Sequence, residues 1–213
     1  MINETTVLED MTMALNFKIF EDSNKVADYT ADIIRKQVHN NPESVLLLES
    51  ATSLNAVYSE VVEEVKKHPA NFTQINLVIA NNRGSLESIE ALNVPKDNFY
   101  KSGKQSDLDK IFESIEKKRK RIINLSVLEM KDDHLLGFEN GENEHIYNGK
   151  EIVLVAIGKE KAKSVEALYQ AQDNNDKNFA RLKDHAMVTL VMDKDAAGEL
   201  DPDIVDYYTY KFA

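Results

Sequence analysis

The junction Gly158-Lys159-Glu160-Lys161-Ala162 is the first segment whose residue types could do chemistry. It follows an apolar run and precedes a helical pattern, and ligands of open parallel sheets bind where strands end. A helix that begins there offers free N–H groups and the positive end of its dipole to an anion. Gly158 and Lys161 are therefore candidate phosphate-binding residues, although spacing alone favours an ordinary turn with two solvated lysines.

A second segment, Glu49-Ser50-Ala51-Thr52-Ser53, also lies between an apolar run and a helical pattern. The hydroxyls of Ser50, Thr52 and Ser53 could donate hydrogen bonds to a phosphate at the start of that helix. Serine and threonine are equally the ordinary N-cap residues of helices. Taken by itself, the segment is better explained as a cap.

A third group combines carboxylates with an imidazole: Asp132, Asp133, His134 and Glu139. Such side chains could supply a general base and a proton relay. The alternative is a hairpin whose turn is Lys-Asp-Asp and whose polar residues face water. The turn signals on either side favour the hairpin.

Short apolar runs separated by helical patterns must position these segments. The runs at 45–48, 75–79 and 152–157 are typical of strands buried on both faces of a parallel sheet, and we expect them to be adjacent central strands. Residues 122–129 form another strand pattern, and the tight-turn pairs Asn140-Gly141 and Asn148-Gly149 indicate antiparallel strands after it. The predicted fold is α/β: a three-layer, mainly parallel twisted sheet with helices on both faces and a small antiparallel excursion.

No repeat, long linker or shift in composition divides the chain. We expect a flexible tail over residues 1–14 and one α/β domain over residues 15–213. The tail has neither the basic start nor the long apolar stretch of a secretory signal. No window approaches the roughly 20 apolar residues of a membrane span, so the expected location is the cytoplasm.

Composition excludes several classes of function. The 213 residues carry 26 Lys+Arg against 37 Asp+Glu, a net charge of −11, which argues against binding nucleic acids or anionic membranes. Without cysteine there can be no disulfide, thiolate nucleophile or iron–sulfur cluster. The histidines show no metal-ligand spacing to one another, so we predict no metal and no cofactor. The protein could also form a homo-oligomer.

In this order, the segments resemble the glucosamine-6-phosphate deaminase/isomerase family, whose wider group includes 6-phosphogluconolactonases. The stretch NFKIFEDSNKVADYTADIIRKQV is similar to the family's opening strand and helix, and LLLESATSLNAVYSEVVEEV to its phosphate loop with flanking elements. EIVLVAIGKEKAKSVEAL resembles its late strand and Gly-x-x-Lys-Ala turn, and HAMVTLVMDKDAAGEL its closing strand. The resemblance spans residues 15–213 and implies a sugar-phosphate isomerase-like fold in which Lys161 contacts the substrate phosphate.

The chain also departs from the family pattern. The family's phosphate loop has two glycines where this chain has Ala51 and Thr52, whose side chains keep the backbone farther from an anion. The resemblance assigns the base that takes the C2 proton to Asn81, and an amide cannot accept that proton. It assigns ring opening to His134, in a segment one residue longer before Glu139 than in the family.

Two hypotheses follow from these departures. In the first, the chain keeps the family fold but has lost deaminase catalysis, and acts as a sugar-phosphate-binding or regulatory module. In the second, it is an active isomerase or lactonase-type hydrolase on a phosphorylated sugar, with Asp132, His134 and Lys161 in altered roles. The first agrees better with the amide at Asn81.

Overall fold

One parallel β-sheet organises the computed structural model, which describes residues 15–81, 83–119, 123–132, 144–171 and 177–209. Within these residues the sheet has seven strands in the order β1-β7-β6-β5-β2-β3-β4. The strands are β1 Leu15–Phe20, β2 Val45–Glu49, β3 Asn76–Ala80, β4 Phe99–Ser102, β5 Leu125–Glu129, β6 Glu151–Ala156 and β7 Val188–Asp193. All neighbouring pairs are parallel, so their carboxyl ends share one edge.

Helices cover both faces of the sheet. They are α1 Ser23–Asn40, α2 Asn55–Lys67, α3 Glu87–Glu90, α4 Gln105–Arg119, α5 Glu144–Tyr147, α6 Ala162–Gln170, α7 Lys177–Asp184 and α8 Pro202–Tyr208. Single 3₁₀ turns occur at Thr52–Leu54, Lys96–Asn98 and Lys159–Lys161. The first and third of these 3₁₀ turns lead directly into α2 and α6, and so shape the ends of two strand-to-helix connections.

Successive side chains along each strand point to opposite faces of the sheet, and this alternation divides the core into two layers. Leu46 and Leu48 of β2 belong to the layer that packs under α1 and α2. Leu47 between them belongs to the opposite layer, with Leu108 of α4 and Val165 of α6. Since both faces of β2 are covered, the strand is apolar except for its last residue, as parallel strands usually are.

Local signals explain where the first helix begins. The Asp22 carboxylate accepts hydrogen bonds from the backbone N–H groups of Asn24 at 2.9 Å and Lys25 at 3.0 Å, and so caps α1. Along α1, Val26, Ile34 and Val38 are fully buried. These residues fall on one helical face, the side that packs on the sheet.

The predicted α/β fold is confirmed, with differences in detail. The three apolar runs are interior strands, but the prediction that all are neighbours is wrong, because β5 lies between β2 and β6. β5 was expected to open an antiparallel excursion, whereas it pairs parallel with both neighbours. Residues 134–138, predicted as its partner strand, lie outside the described residues, as does the 1–14 tail.

β4 and α5 are elements that the sequence analysis did not predict. β4 is a four-residue edge strand in a stretch for which no strand was predicted. Residues 144–147 form a short helix, α5, where short strands were expected. In the part of the chain described here, no helix is long and apolar enough to cross a membrane.

Candidate active site

Two glutamates end neighbouring strands at the carboxyl edge of the sheet. Glu49 is the last residue of β2 and Glu129 the last residue of β5, and the register pairs Leu48 with Val127. The Glu49 side chain is fully buried, whereas that of Glu129 is 12% exposed. The fold thus brings two carboxylates together at the edge where ligands of parallel sheets bind.

The Glu49 carboxylate is held by donors from two neighbouring strand ends. Its Oε1 accepts hydrogen bonds from Asn81 Nδ2 at 2.8 Å and from Arg83 Nη2 at 3.1 Å. Its Oε2 accepts the backbone N–H of Glu129 at 2.9 Å. With three donors and no exposure, Glu49 is a structural acceptor that orients the residues around it.

Glu129 lies at the centre of a second set of contacts, which we call the Glu129 cluster: Ser53, Arg83, Glu129 and Lys161. Ser53 Oγ donates to Glu129 Oε1 at 2.7 Å and Arg83 Nη2 donates to Oε2 at 3.0 Å. Lys161 Nζ lies 3.7 Å from Oε1. One carboxylate thereby gathers a hydroxyl and two cations that follow β2, β3 and β6.

The loops after β2 and β3 are fastened to each other by close backbone contacts. The Ser50 carbonyl accepts the N–H groups of Arg83 at 2.9 Å and Gly84 at 3.1 Å, and Thr52 Oγ1 donates to the Arg83 carbonyl at 3.1 Å. A Cβ on Gly84 would lie 2.6 Å from the Ala51 carbonyl oxygen, so only glycine fits there. Ser50 and Thr52 were both predicted to bind phosphate. In the structure, the Ser50 carbonyl and the Thr52 hydroxyl instead hold the two loops together.

Asp193, the last residue of β7, positions the turn that carries Lys161. Both of its carboxylate oxygens lie 3.1 Å from the Gly158 nitrogen, and Oδ1 also accepts the Ala196 N–H at 2.9 Å. Gly158 has φ of +90°, a conformation that favours glycine. The turn then leads into the 3₁₀ segment that ends at Lys161, which is 9% exposed.

Burial dominates the electrostatics of Glu49. Loss of water raises the pKa of its carboxyl above the ordinary value of 4.5, against the lowering effects of the Glu129 N–H, the Asn81 amide and the Lys131 charge. The nearby negative charge of Glu129 adds to the increase in the pKa. The Tyr58 hydroxyl donates to the Glu49 carbonyl oxygen at 2.6 Å, and burial raises the pKa of Tyr58 well above 10.0.

The raised pKa of Glu49 predicts a pH-dependent stability. A carboxyl whose pKa is higher in the folded state stabilises the fold fully below the unfolded value of 4.5 and loses that contribution as pH rises through the folded pKa. Urea unfolding of the wild type and Glu49→Gln between pH 4.5 and 7 should therefore show the wild type's advantage shrinking with increasing pH. An advantage that grows with pH would contradict the direction of the pKa shift.

The structure places the predicted site residues as follows. Asn81 has a left-handed backbone, with φ of 66°, and directs its amide nitrogen at Glu49, while Asp132 is exposed. His134 and Glu139 lie outside the described residues, so their assigned roles stay predictions. Ser53 and Lys161 contact the same carboxylate, whereas Gly158 contacts Asp193.

Four residues of this edge were not predicted as site residues: Glu49, Arg83, Glu129 and Asp193. Glu49 and Asp193 carry one signal, a lone carboxylate at the end of an otherwise apolar strand. Glu129 ends its strand in the same way, but Arg83 carries no local signal, and the contact between the two depends on which strands are neighbours. Among the described residues, no group of three or more potential ligands is arranged to hold a metal ion.

Comparison with known proteins identifies the fold. No family model matches the chain, and no curated protein matches it in sequence. Among solved structures, a monomeric glucosamine-6-phosphate deaminase superimposes with a TM-score of 0.71 at 14% identity, covering 86% of this chain and 99% of that one. The 6-phosphogluconolactonases of Leishmania guyanensis (16% identity) and Trypanosoma brucei (10% identity) each give a TM-score of 0.64, covering 87% of this chain and 98% of theirs. The resemblance stated from the sequence is confirmed at the level of the fold.

Proposed function

We propose that this protein binds a phosphorylated sugar at the carboxyl edge of its sheet and has lost the deaminase chemistry of the family it resembles. The observation that carries the proposal is the meeting of Ser53, Arg83 and Lys161 on one anion, the Glu129 carboxylate. A hydroxyl, a guanidinium and an ammonium group are the donors that phosphate oxygens prefer.

The solved structures with this fold support the class of ligand. Those cited above are named for glucosamine 6-phosphate and 6-phosphogluconolactone, both phosphorylated sugars. In a chain with a net charge of −11, Arg83 and Lys161 bring two cations to the sheet edge, where they face the carboxylates of Glu49 and Glu129. Lys161 in particular precedes α6, whose first N–H groups favour negative charge.

The loss of deaminase chemistry is inferred from Asn81. In the family resemblance this position carries the base that removes the C2 proton, and here its amide nitrogen donates to Glu49 at 2.8 Å. The adjacent carboxylate, Glu49, is fully buried and already accepts three hydrogen bonds. Neither side chain is available as a base towards a bound sugar, which favours a binding or regulatory role over isomerisation.

Titration with glucose 6-phosphate tests the binding site. We expect chemical-shift changes at the amides of Gly158 to Ala162 at millimolar ligand, and roughly ten- to a hundredfold weaker affinity in Lys161→Ala, because a hydrogen bond to a charged group contributes roughly 1.5–3 kcal/mol. Lys163→Ala is the matched control, since Lys163 lies two residues further along the chain, in the first turn of α6, and is exposed. Absence of shifts at these amides, or equal weakening by both substitutions, would contradict the proposed site.

A further inference from the structure

The Glu129 carboxylate takes up the donors that a bound phosphate would need. It accepts from Ser53 at 2.7 Å and from Arg83 at 3.0 Å, and lies 3.7 Å from the Lys161 ammonium group. We propose that Glu129 is a resident internal anion that competes with the ligand and so sets the affinity of the pocket. This inference rests on the proposed function and adds a specificity-determining residue to it.

Arg83 keeps an ion-pair partner when the Glu129 side chain moves away from it. Arg83 Nη2 also donates to Glu49 Oε1 at 3.1 Å, so its charge keeps a buried carboxylate partner when the Glu129 side chain turns away. The Glu129 backbone stays fixed, because its N–H donates to Glu49 Oε2 at 2.9 Å. Glu49 therefore holds both the arginine and the strand end while the Glu129 side chain exchanges places with a ligand.

The Glu129 cluster reaches solvent on the side of Arg83. The Glu129 and Lys161 side chains are 12% and 11% exposed, and that of Arg83 is 40% exposed. A rotation about the side-chain bonds of Glu129 carries its carboxylate into water, where a charged group is well solvated. The vacated position then presents one hydroxyl and two cations to an anion.

Internal competition has a quantitative consequence. The apparent dissociation constant equals the intrinsic constant divided by the fraction of molecules in which Glu129 has left the donors. That fraction belongs to the protein, so removal of the carboxylate should improve the affinity for every anion by one common factor. Simple charge repulsion differs, because its energy scales with the ligand's charge, and its factor for a dianion would be the square of that for a monoanion.

The experiment compares two ligands of equal shape and different charge. Glucose 6-phosphate, mainly dianionic above its second pKa of roughly 6, and glucose 6-sulfate, a monoanion, are titrated into the wild type and Glu129→Gln at pH 7.5. Glu129→Ala is a second variant that removes the carboxylate entirely, and thermal unfolding verifies that each variant is folded. Glu90→Gln is the control, since Glu90 pairs with Lys101 at 2.8 Å on an exposed surface outside the cluster.

We expect Glu129→Gln and Glu129→Ala to bind both ligands more tightly than the wild type, and by the same factor. If the Glu129 carboxylate has left its donors in about one wild-type molecule in ten, that factor is about tenfold. Glu90→Gln should bind like the wild type. If the wild type binds glucose 6-phosphate but neither variant gains affinity, or if the dianion gains the square of the monoanion's factor, the inference is wrong while the proposed function stands. If no form of the protein binds either ligand, both fail.

Discussion

Glucosamine 6-phosphate incubated with this protein at neutral pH is expected to give no detectable ammonia and no fructose 6-phosphate. Deamination with isomerisation needs a base poised at C2, and general base catalysis alone contributes roughly 10²- to 10⁴-fold. The amide of Asn81 cannot act as this base, and its nitrogen is committed to Glu49. Loss of one member of a catalytic unit usually removes most of the rate enhancement.

A coupled assay for both products, run beside an active deaminase, measures this directly. Asn81→Asp should not restore turnover, because the new carboxylate would face the buried Glu49 and like charges at that distance raise each other's pKa. Wild-type turnover near a typical value of about 10 s⁻¹ would overturn the proposed loss of catalysis and favour the active isomerase. Its disappearance in His134→Ala would then assign the chemistry to residues 132–139.

Glu49→Ala should lower the free energy of unfolding by about 2 to 4 kcal/mol, because each buried polar group that loses its hydrogen-bond partner costs roughly 1–3 kcal/mol. The substitution leaves the Asn81 amide and the Glu129 N–H without their acceptor and opens a cavity between β2 and β5. Arg83 keeps Glu129 as a partner, which moderates the loss. Since domains are stabilised by roughly 5–15 kcal/mol, this is a large effect.

Urea unfolding at neutral pH gives the measurement. Glu90→Ala is the matched control, because it removes an equal charge from an ion pair whose side chains are both about half exposed, and exposed pairs contribute little. Its unfolding midpoint should stay close to that of the wild type. A Glu49→Ala variant as stable as the Glu90 variant would mean that the buried carboxylate is not needed to join the strand ends.

The interior strands could be predicted from sequence, because a strand that is buried on both faces is apolar along nearly its whole length. β2, β3 and β6 are nearly continuous apolar runs, and Asp22 caps α1 through a local contact. β4 shows no such apolar run, because three of its four residues are only half-buried or exposed. The direction of β5 depends on which strands it pairs with, and the tight-turn pairs that follow it pointed to a hairpin instead.

The residues of the candidate site also differ in whether the sequence could reveal their roles. Ser53 and Lys161 could be proposed because a hydroxyl or a lysine next to a strand end is visible in the sequence. The role of Glu129 could not, since it depends on β5 being inserted between β2 and β6, so that one carboxylate reaches residues that follow three other strands. Arg83 was not proposed for the same reason, as its two carboxylate partners end different strands.

The pairing of β1 with β7 has a consequence for how the chain folds. Leu15 pairs with Val188, so the first strand of the sheet can complete its pairing only after the last strand has been synthesised. β2, β3 and β4 are consecutive in the chain and neighbours in the sheet, and close their contacts over shorter loops, which form faster. We expect that half of the sheet to assemble first, while β1 pairs only once β7 is in place.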